Sequence, residues 1–345
     1  MRSKLPPACV ATLLYCVALQ AEPGQWSMQG ESLLCTGNQA SQLAYENLVK
    51  GSISVRSTYE AGGQTTIVYE EGVDYTVDYT AGTMARTPDS RIPDFASNVL
   101  YGQKEFDHTL FPGFGNTSFF VFVDYQAHNG FLIATKSNQV PRLVQTSSKL
   151  SAGGPFKIIA YGDSISAGGD ATSLHLQFQE RYAAYLRQRF PKVEITVENG
   201  ATGGDSTVQG LARLEEKVLT RSPDLVLVGF GMNDHNVNGV PLDRFESNLI
   251  SIVEQIRSRT AADVILISTF PPNDDWKFGS HRMEDYAAAT RKASESLKCA
   301  YADVYSAWVK LLDRKEPSSL LGNNINHPND FGHWIYFEVL KNVEF

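Results

Sequence analysis

Ser164, Asn233 and His327 are residues of the kinds that acyl transfer needs: a hydroxyl that can become a nucleophile, an amide that can donate to an oxyanion, and a ring that can carry a proton. Ser164 lies in "YGDSISAGG", with an apolar run before it and a small, glycine-rich turn after it, a setting that exposes a hydroxyl and leaves backbone N–H groups free. Read alone, it is equally a serine capping a helix. The stretch is not a G-x-S-x-G nucleophile elbow, because Ser166 stands where the last glycine belongs. Gly203 and Gly204, in "NGATGGDST", can turn a backbone N–H towards a ligand, and read alone they form an ordinary strand-to-helix turn. Asn233 in "GFGMNDHN" can donate its side-chain amide to developing negative charge or close an Asx turn.

Two of the seven histidines fall in "NNINHPNDFGH", residues 323–333. His327 occupies a polar, proline-containing loop, whereas His333 opens the periodic stretch "HWIYFEVL" and reads as helix-start packing or capping. His108 and His128 fall among predicted strands, and His175 and His281 near helix starts. His235 directly follows "GMND" and is placed to line a pocket, with Asp163 and Asp234 beside it in the candidate substrate set. The long connection "TFPPNDDWKFGSH" is expected to wall the pocket and bring Asn273 and Trp276 to substrate. No H-E-x-x-H or paired C-x-x-C occurs, so no metal site is expected.

The elements that must hold these residues follow two grammars. Residues 27–150 read as a β-sandwich: "SISVRSTY", "TTIVYEEGVDYTVDY", "SFFVFVDYQ" and "GFLIATKS" are β-branched and aromatic, punctuated by turn residues. After a linker-like "SSKLSAGG", short apolar runs ("FKIIAYG", "EITVEN", "DLVLVGFG", "DVILISTF") alternate with amphipathic segments such as "HLQFQERYAAYLRQRF", "STVQGLARLEEKVLTR" and "RFESNLISIVEQIRSR". That alternation over 155–345 predicts an α/β unit with a doubly wound parallel sheet. Ligands collect beyond the carboxyl ends of such strands, and the serine, glycine and asparagine stretches each follow one.

Residues 1–21 read as a signal peptide: Arg2 and Lys4 precede "ACVATLLYCVALQA", too short for the ~20 apolar residues of a membrane helix, and Ala21 can end it. The expectation is a secreted or periplasmic protein with no stable membrane insertion after cleavage. Cleavage leaves Cys35 and Cys299, which an oxidising compartment would allow to pair. The formal charge of −8, or −10 without Arg2 and Lys4, argues against nucleic acid and anionic membranes as partners. Asn116 in "NTS" fits a glycan acceptor pattern, with a plain turn as the simpler reading.

"GDS" at 162–164, Asn199 with "GGDST", "GMND" at 231–234 and "HP" at 327–328 resemble, in order and spacing, the four blocks of the GDSL, or SGNH, hydrolase family. The resemblance implies a flavodoxin-like three-layer α/β/α domain, here preceded by a β-sandwich of jelly-roll type, and an ester hydrolase without a cofactor. It makes Ser164 the nucleophile and His327 the general base, with the N–H groups of Ser164 and Gly204 and the Asn233 side chain facing the oxyanion. The family's last block carries an aspartate three residues before its histidine, where this chain has Asn324. Some carbohydrate esterases of this layout use a Ser-His pair held by a backbone carbonyl, so the expectation is a dyad with Asn324 or a main-chain oxygen on His327. Asp330 is on the wrong side of the histidine. The expected substrate is an acylated, chiefly acetylated, polysaccharide or other acylated small molecule. A lipase, lysophospholipase or thioesterase, or a noncatalytic carbohydrate-binding protein with a decayed site, are the alternatives.

Overall fold

A computed structural model of the chain describes residues 25–345. The expected signal segment, with Cys9 and Cys16, lies outside the described residues. The first half is antiparallel: β1 (Trp26–Leu33), β2 (Ser41–Gln42), β3 (Glu46–Leu48), β4 (Ser54–Arg56), β5 (Val68–Tyr69), β6 (Tyr75–Asp78), β7 (Thr83–Arg86) and β8 (Val121–Asn129). One sheet runs β1-β8-β4-β5, with β3 also on β8; the other runs β2-β7-β6. Alternate residues of β8 (Val121, Val123, Tyr125, Ala127) are all buried, as a sheet covered on that face requires. "GFLIATKS" does not continue as a strand. Tyr45 donates its hydroxyl to Phe131 O and Lys310 donates to Leu132 O, so the chain is pulled off the sheet, and only a two-residue β9 (Ser137–Asn138) follows.

The second half starts earlier than the sequence implied. "SSKLSAGG" is no linker: α1 (Val144–Ala152) runs through it, buries Leu150 and donates Thr146 N–H to Asp263. There follow β10 (Gly154–Gly162), α2 (Phe178–Arg189), β11 (Val193–Asn199), α3 (Thr207–Lys217), β12 (Leu225–Gly229), α4 (Leu242–Arg259) and β13 (Asp263–Ile267). Then come α5 (Met283–Leu297), β14 (Ala300–Ala302), α6 (Val304–Leu312), α7 (Asp330–Lys341) and β15 (Val343–Glu344), which pairs with β9. The parallel sheet has the order β11-β10-β12-β13-β14, the flavodoxin-like order. Helices α2, α6 and α7 form one layer, α3, α4 and α5 the other. Strands β10, β12 and β13 are buried almost throughout because both faces are covered.

One continuous core joins the halves, running from Met28 and Val123 to Trp308 and Tyr336. Cys35 and Cys299 are both free and buried, and burial pushes their thiols up to about 12 and about 11. No helix among the described residues is long and apolar enough to cross a membrane.

Candidate active site

Because β10 lies between β11 and β12, the turns after these three strands are neighbours, and the serine, glycine and asparagine stretches meet at the switch point of the sheet. After β10 the chain makes a helical turn, with Ala167 N–H donating to Asp163 O and Gly169 N–H to Ser164 O. Ser164 stands on that turn with its hydroxyl 2.9 Å from His327 Nε2. Neither the Ser164 nor the Gly204 N–H is engaged with an acceptor among the described residues. Gly204 has φ +81°, a conformation that a side chain would strain. Next to it, Ser206 caps α3 in a capping box with Gln209, so the turn reading holds and is compatible with a free Gly204 N–H. Asn233 donates one amide hydrogen to Asp205 O (2.9 Å), and the other meets no acceptor among the described residues.

His327 arrives on a loop built by the amides around it. Asn323 Oδ1 accepts the N–H groups of Ile325, Asn326 and His327 at 2.9, 2.9 and 3.0 Å, and Gly322 N–H donates to His327 O at 2.9 Å. Asn324 is turned away from the ring. Its φ is +60°, its Oδ1 accepts from Asn116 (3.1 Å) and its carbonyl accepts from Asn273 (2.9 Å). The expectation that Asn324 or a main-chain oxygen holds His327 is therefore corrected.

The oxygen facing His327 Nδ1 is Asp170 Oδ1, 3.5 Å away. Asp170 sits six residues after Ser164 on the same loop, and its Oδ2 is buried without a protein partner. It can approach because Gly322 has no side chain: a Cβ there would lie 2.3 Å from Asp170 Cβ. Asp330 is not on the histidine but pins the nucleophile loop, accepting Thr172 N–H at 2.8 Å and Thr172 Oγ1–H at 2.7 Å. His333, fully buried, has Nε2 2.8 Å from Gly168 O, so it braces the same loop, and burial lowers it to about 3. The sequence offered one hint of Asp170, an acid closing the glycine turn, but nothing local tied it to a histidine so far along the chain.

The other proposed substrate contacts divide. Asp163 caps the turn through Ile165 N–H (3.0 Å), and Asp234 accepts Thr207 N–H (2.9 Å); both are buried and face the scaffold instead of the pocket. Burial raises them to about 7 and about 6. His235 is buried, with Nδ1 bonded to Met232 O, and is lowered to about 4 by burial. Asn273 braces the His327 loop through Asn324. Trp276 does line a groove of about 640 Å³ that opens beside Gly204 and Asn233, together with His108 and Phe278. Missed by sequence reasoning, His108 and Thr109 of the antiparallel half also line this groove. Phe106 N–H donates to Asp275 O (2.8 Å), and Lys104–Asp275 (2.8 Å) and Lys277–Asp107 (2.7 Å) fasten the two loops. Asn116 is no glycan acceptor: it is fully buried, and its amide donates to Ser318 O and Leu321 O at 3.0 Å each.

The chain is 33% identical to an arylesterase from Vibrio mimicus over 119 residues, 34% of this chain and 56% of that protein. It is 23% identical to an acetylxylan esterase from Geobacillus stearothermophilus over 203 residues, 54% of this chain and 92% of that protein. Among solved structures, a two-domain esterase active on acetylated mannans, co-crystallised with mannopentaose, aligns with TM-score 0.49 at 20% identity, over 61% of this chain and 54% of that one. The chain thus spans just over half of the arylesterase's length. Residues 160–335, half of the chain and all four blocks, match the GDSL-like Lipase/Acylhydrolase family, and the protein belongs to that family.

Proposed function

We propose that the protein is an exported serine esterase that removes short acyl groups, chiefly acetyl, from a carbohydrate. The observation that carries the reading is the contact of Ser164 Oγ with His327 Nε2 at 2.9 Å, backed by Asp170 at 3.5 Å from Nδ1. His327 takes the Ser164 proton as Oγ attacks the ester carbonyl, and a tetrahedral oxyanion forms against the Ser164 and Gly204 N–H groups and the Asn233 amide. Collapse breaks the bond to the sugar oxygen, which takes the proton from His327 Nε2 and leaves as a hydroxyl. Water, deprotonated by the same nitrogen, then attacks the acyl-serine and releases the acid. Asp170 keeps the ring oriented and its carboxylate favours the imidazolium present in both transition states. No cofactor is needed for either half-reaction.

Three things support a carbohydrate ester: the acetylxylan esterase among the relatives, the groove's mixed aromatic and amide lining, and the negative net charge. Export rests on the reading of residues 1–21. Val237, an exposed apolar residue lining the groove, favours a second reading, an acylhydrolase for longer chains. Two measurements test the reading. A fluorophosphonate should label the purified protein and fail to label Ser164→Ala; labelling that survives the substitution defeats the mechanism. Across acetyl to octanoyl esters the rate should fall with chain length, and a faster octanoyl ester replaces the first reading with the second.

A further inference from the structure

The groove extends well beyond what an acetyl group fills, and one of its walls belongs to the antiparallel half. His108 sits there, half-buried, inside a cage of Phe114, Phe278 and Trp276 rings with centroids 5.3, 5.9 and 6.0 Å away. Trp276 Nε1 lies 3.1 Å from His108 Nδ1. An indole nitrogen only donates, so Nδ1 is the acceptor and the neutral ring carries its proton on Nε2. That N–H meets no acceptor among the described residues, and His108 lines the groove that also holds Gly204, Asn233 and Gln209. The backbone pairing of Phe106 with Trp276 and the Lys277–Asp107 ion pair fix the loop that carries it. A donor on a loop held in this way, lining the same groove as Gly204 and Asn233, suits an alcohol portion rich in oxygen; an alkyl chain would leave the N–H without a partner.

We infer that His108 is a specificity-determining residue whose Nε2–H donates to a hydroxyl or ring oxygen of the sugar bearing the ester. The antiparallel half then supplies part of the substrate site. This rests on the reading of Ser164 as an esterase nucleophile, and its test separates the two. Wild type, His108→Phe and His108→Gln would be assayed on an acetylated xylo-oligosaccharide and on vinyl acetate, whose leaving group offers no hydroxyl to bond. His108→Phe should lower the ratio of kcat/KM for the oligosaccharide to that for vinyl acetate by roughly three- to tenfold, chiefly through KM, as expected for one neutral hydrogen bond. His108→Gln, which keeps a donor, should recover most of it. An unchanged ratio in His108→Phe, or the same loss in both variants, overturns the assignment. Wild type that cleaves vinyl acetate but not the oligosaccharide also overturns it while leaving the esterase reading intact, and wild type that cleaves neither removes the esterase reading itself. Long-range nitrogen spectra of histidine-labelled protein, assigned with His108→Phe, give an independent readout. They should show His108 protonated at Nε2, and protonation at Nδ1 overturns the assignment.

Discussion

Ser164 and His327 were assigned from four blocks that resemble the family's, but the carboxylate nearest the histidine does not stand where the family's motif would place it. A carboxylate near Nδ1 matters because it stabilises the imidazolium, which an amide cannot do; a serine protease loses about 10⁴ in rate when its triad aspartate becomes asparagine. Asp170 is farther from its ring, at 3.5 Å, and partly exposed, so Asp170→Asn should cost less: about 10- to 100-fold in kcat, with KM little changed. Asn324→Asp should not rescue it, since that side chain faces Asn116. Steady-state rates of the single and double variants decide this, and recovery of activity in the double variant would return the acid to position 324.

Loops show how one half of the chain orients the chemistry of the other. Asn116, on the segment just before β8, donates to two carbonyls of the segment leading to His327, and its own N–H bonds Gly322 O. Asn116→Ala removes both side-chain bonds and leaves the two carbonyls only the longer backbone bonds from Leu321 N–H (3.3 Å) and Asn324 N–H (3.4 Å), an expected loss of about 1–3 kcal/mol in urea unfolding, with a fall in kcat as the His327 loop loosens. Activity equal to the parent's at the lower stability would uncouple the loop from the site. At this scale the long periodic helices and four of the five parallel strands were legible, because each carries its own burial pattern. α1, the loss of the "GFLIATKS" strand and the three-residue β14 were not, because packing against another element decides them.

Taken as a whole molecule, the two halves share one core and a buried ion pair. Lys315 Nζ lies 2.5 Å from Glu31 Oε1, both side chains fully buried, and Tyr125 donates to the other oxygen. Glu31→Ala should therefore cost about 3–5 kcal/mol by stranding Lys315, and unfolding should remain one transition for both halves. Two separated transitions would show that the halves fold independently. Buried ionisable groups set the pH dependence. Asp163, raised to about 7 by burial, contributes stability that is full below about pH 4 and is lost as pH rises through 7. His333, lowered to about 3, contributes stability that is full above about pH 6.5 and lost as pH falls through 3. Relative to the parent, Asp163→Asn should gain stability between pH 4 and 8, measured by urea titration at each pH; a constant difference would refute the assignment.

By itself the sequence determined the sheet class and the strand ends, because burial periodicity and turn chemistry are local properties of the chain, and its four short blocks in order carried the resemblance to the family. Only the tertiary structure decided that Asp170 faces His327, that Asn324 holds a loop, and that His108 joins the groove. Those contacts depend on where distant segments meet, and no spacing along the chain encodes them.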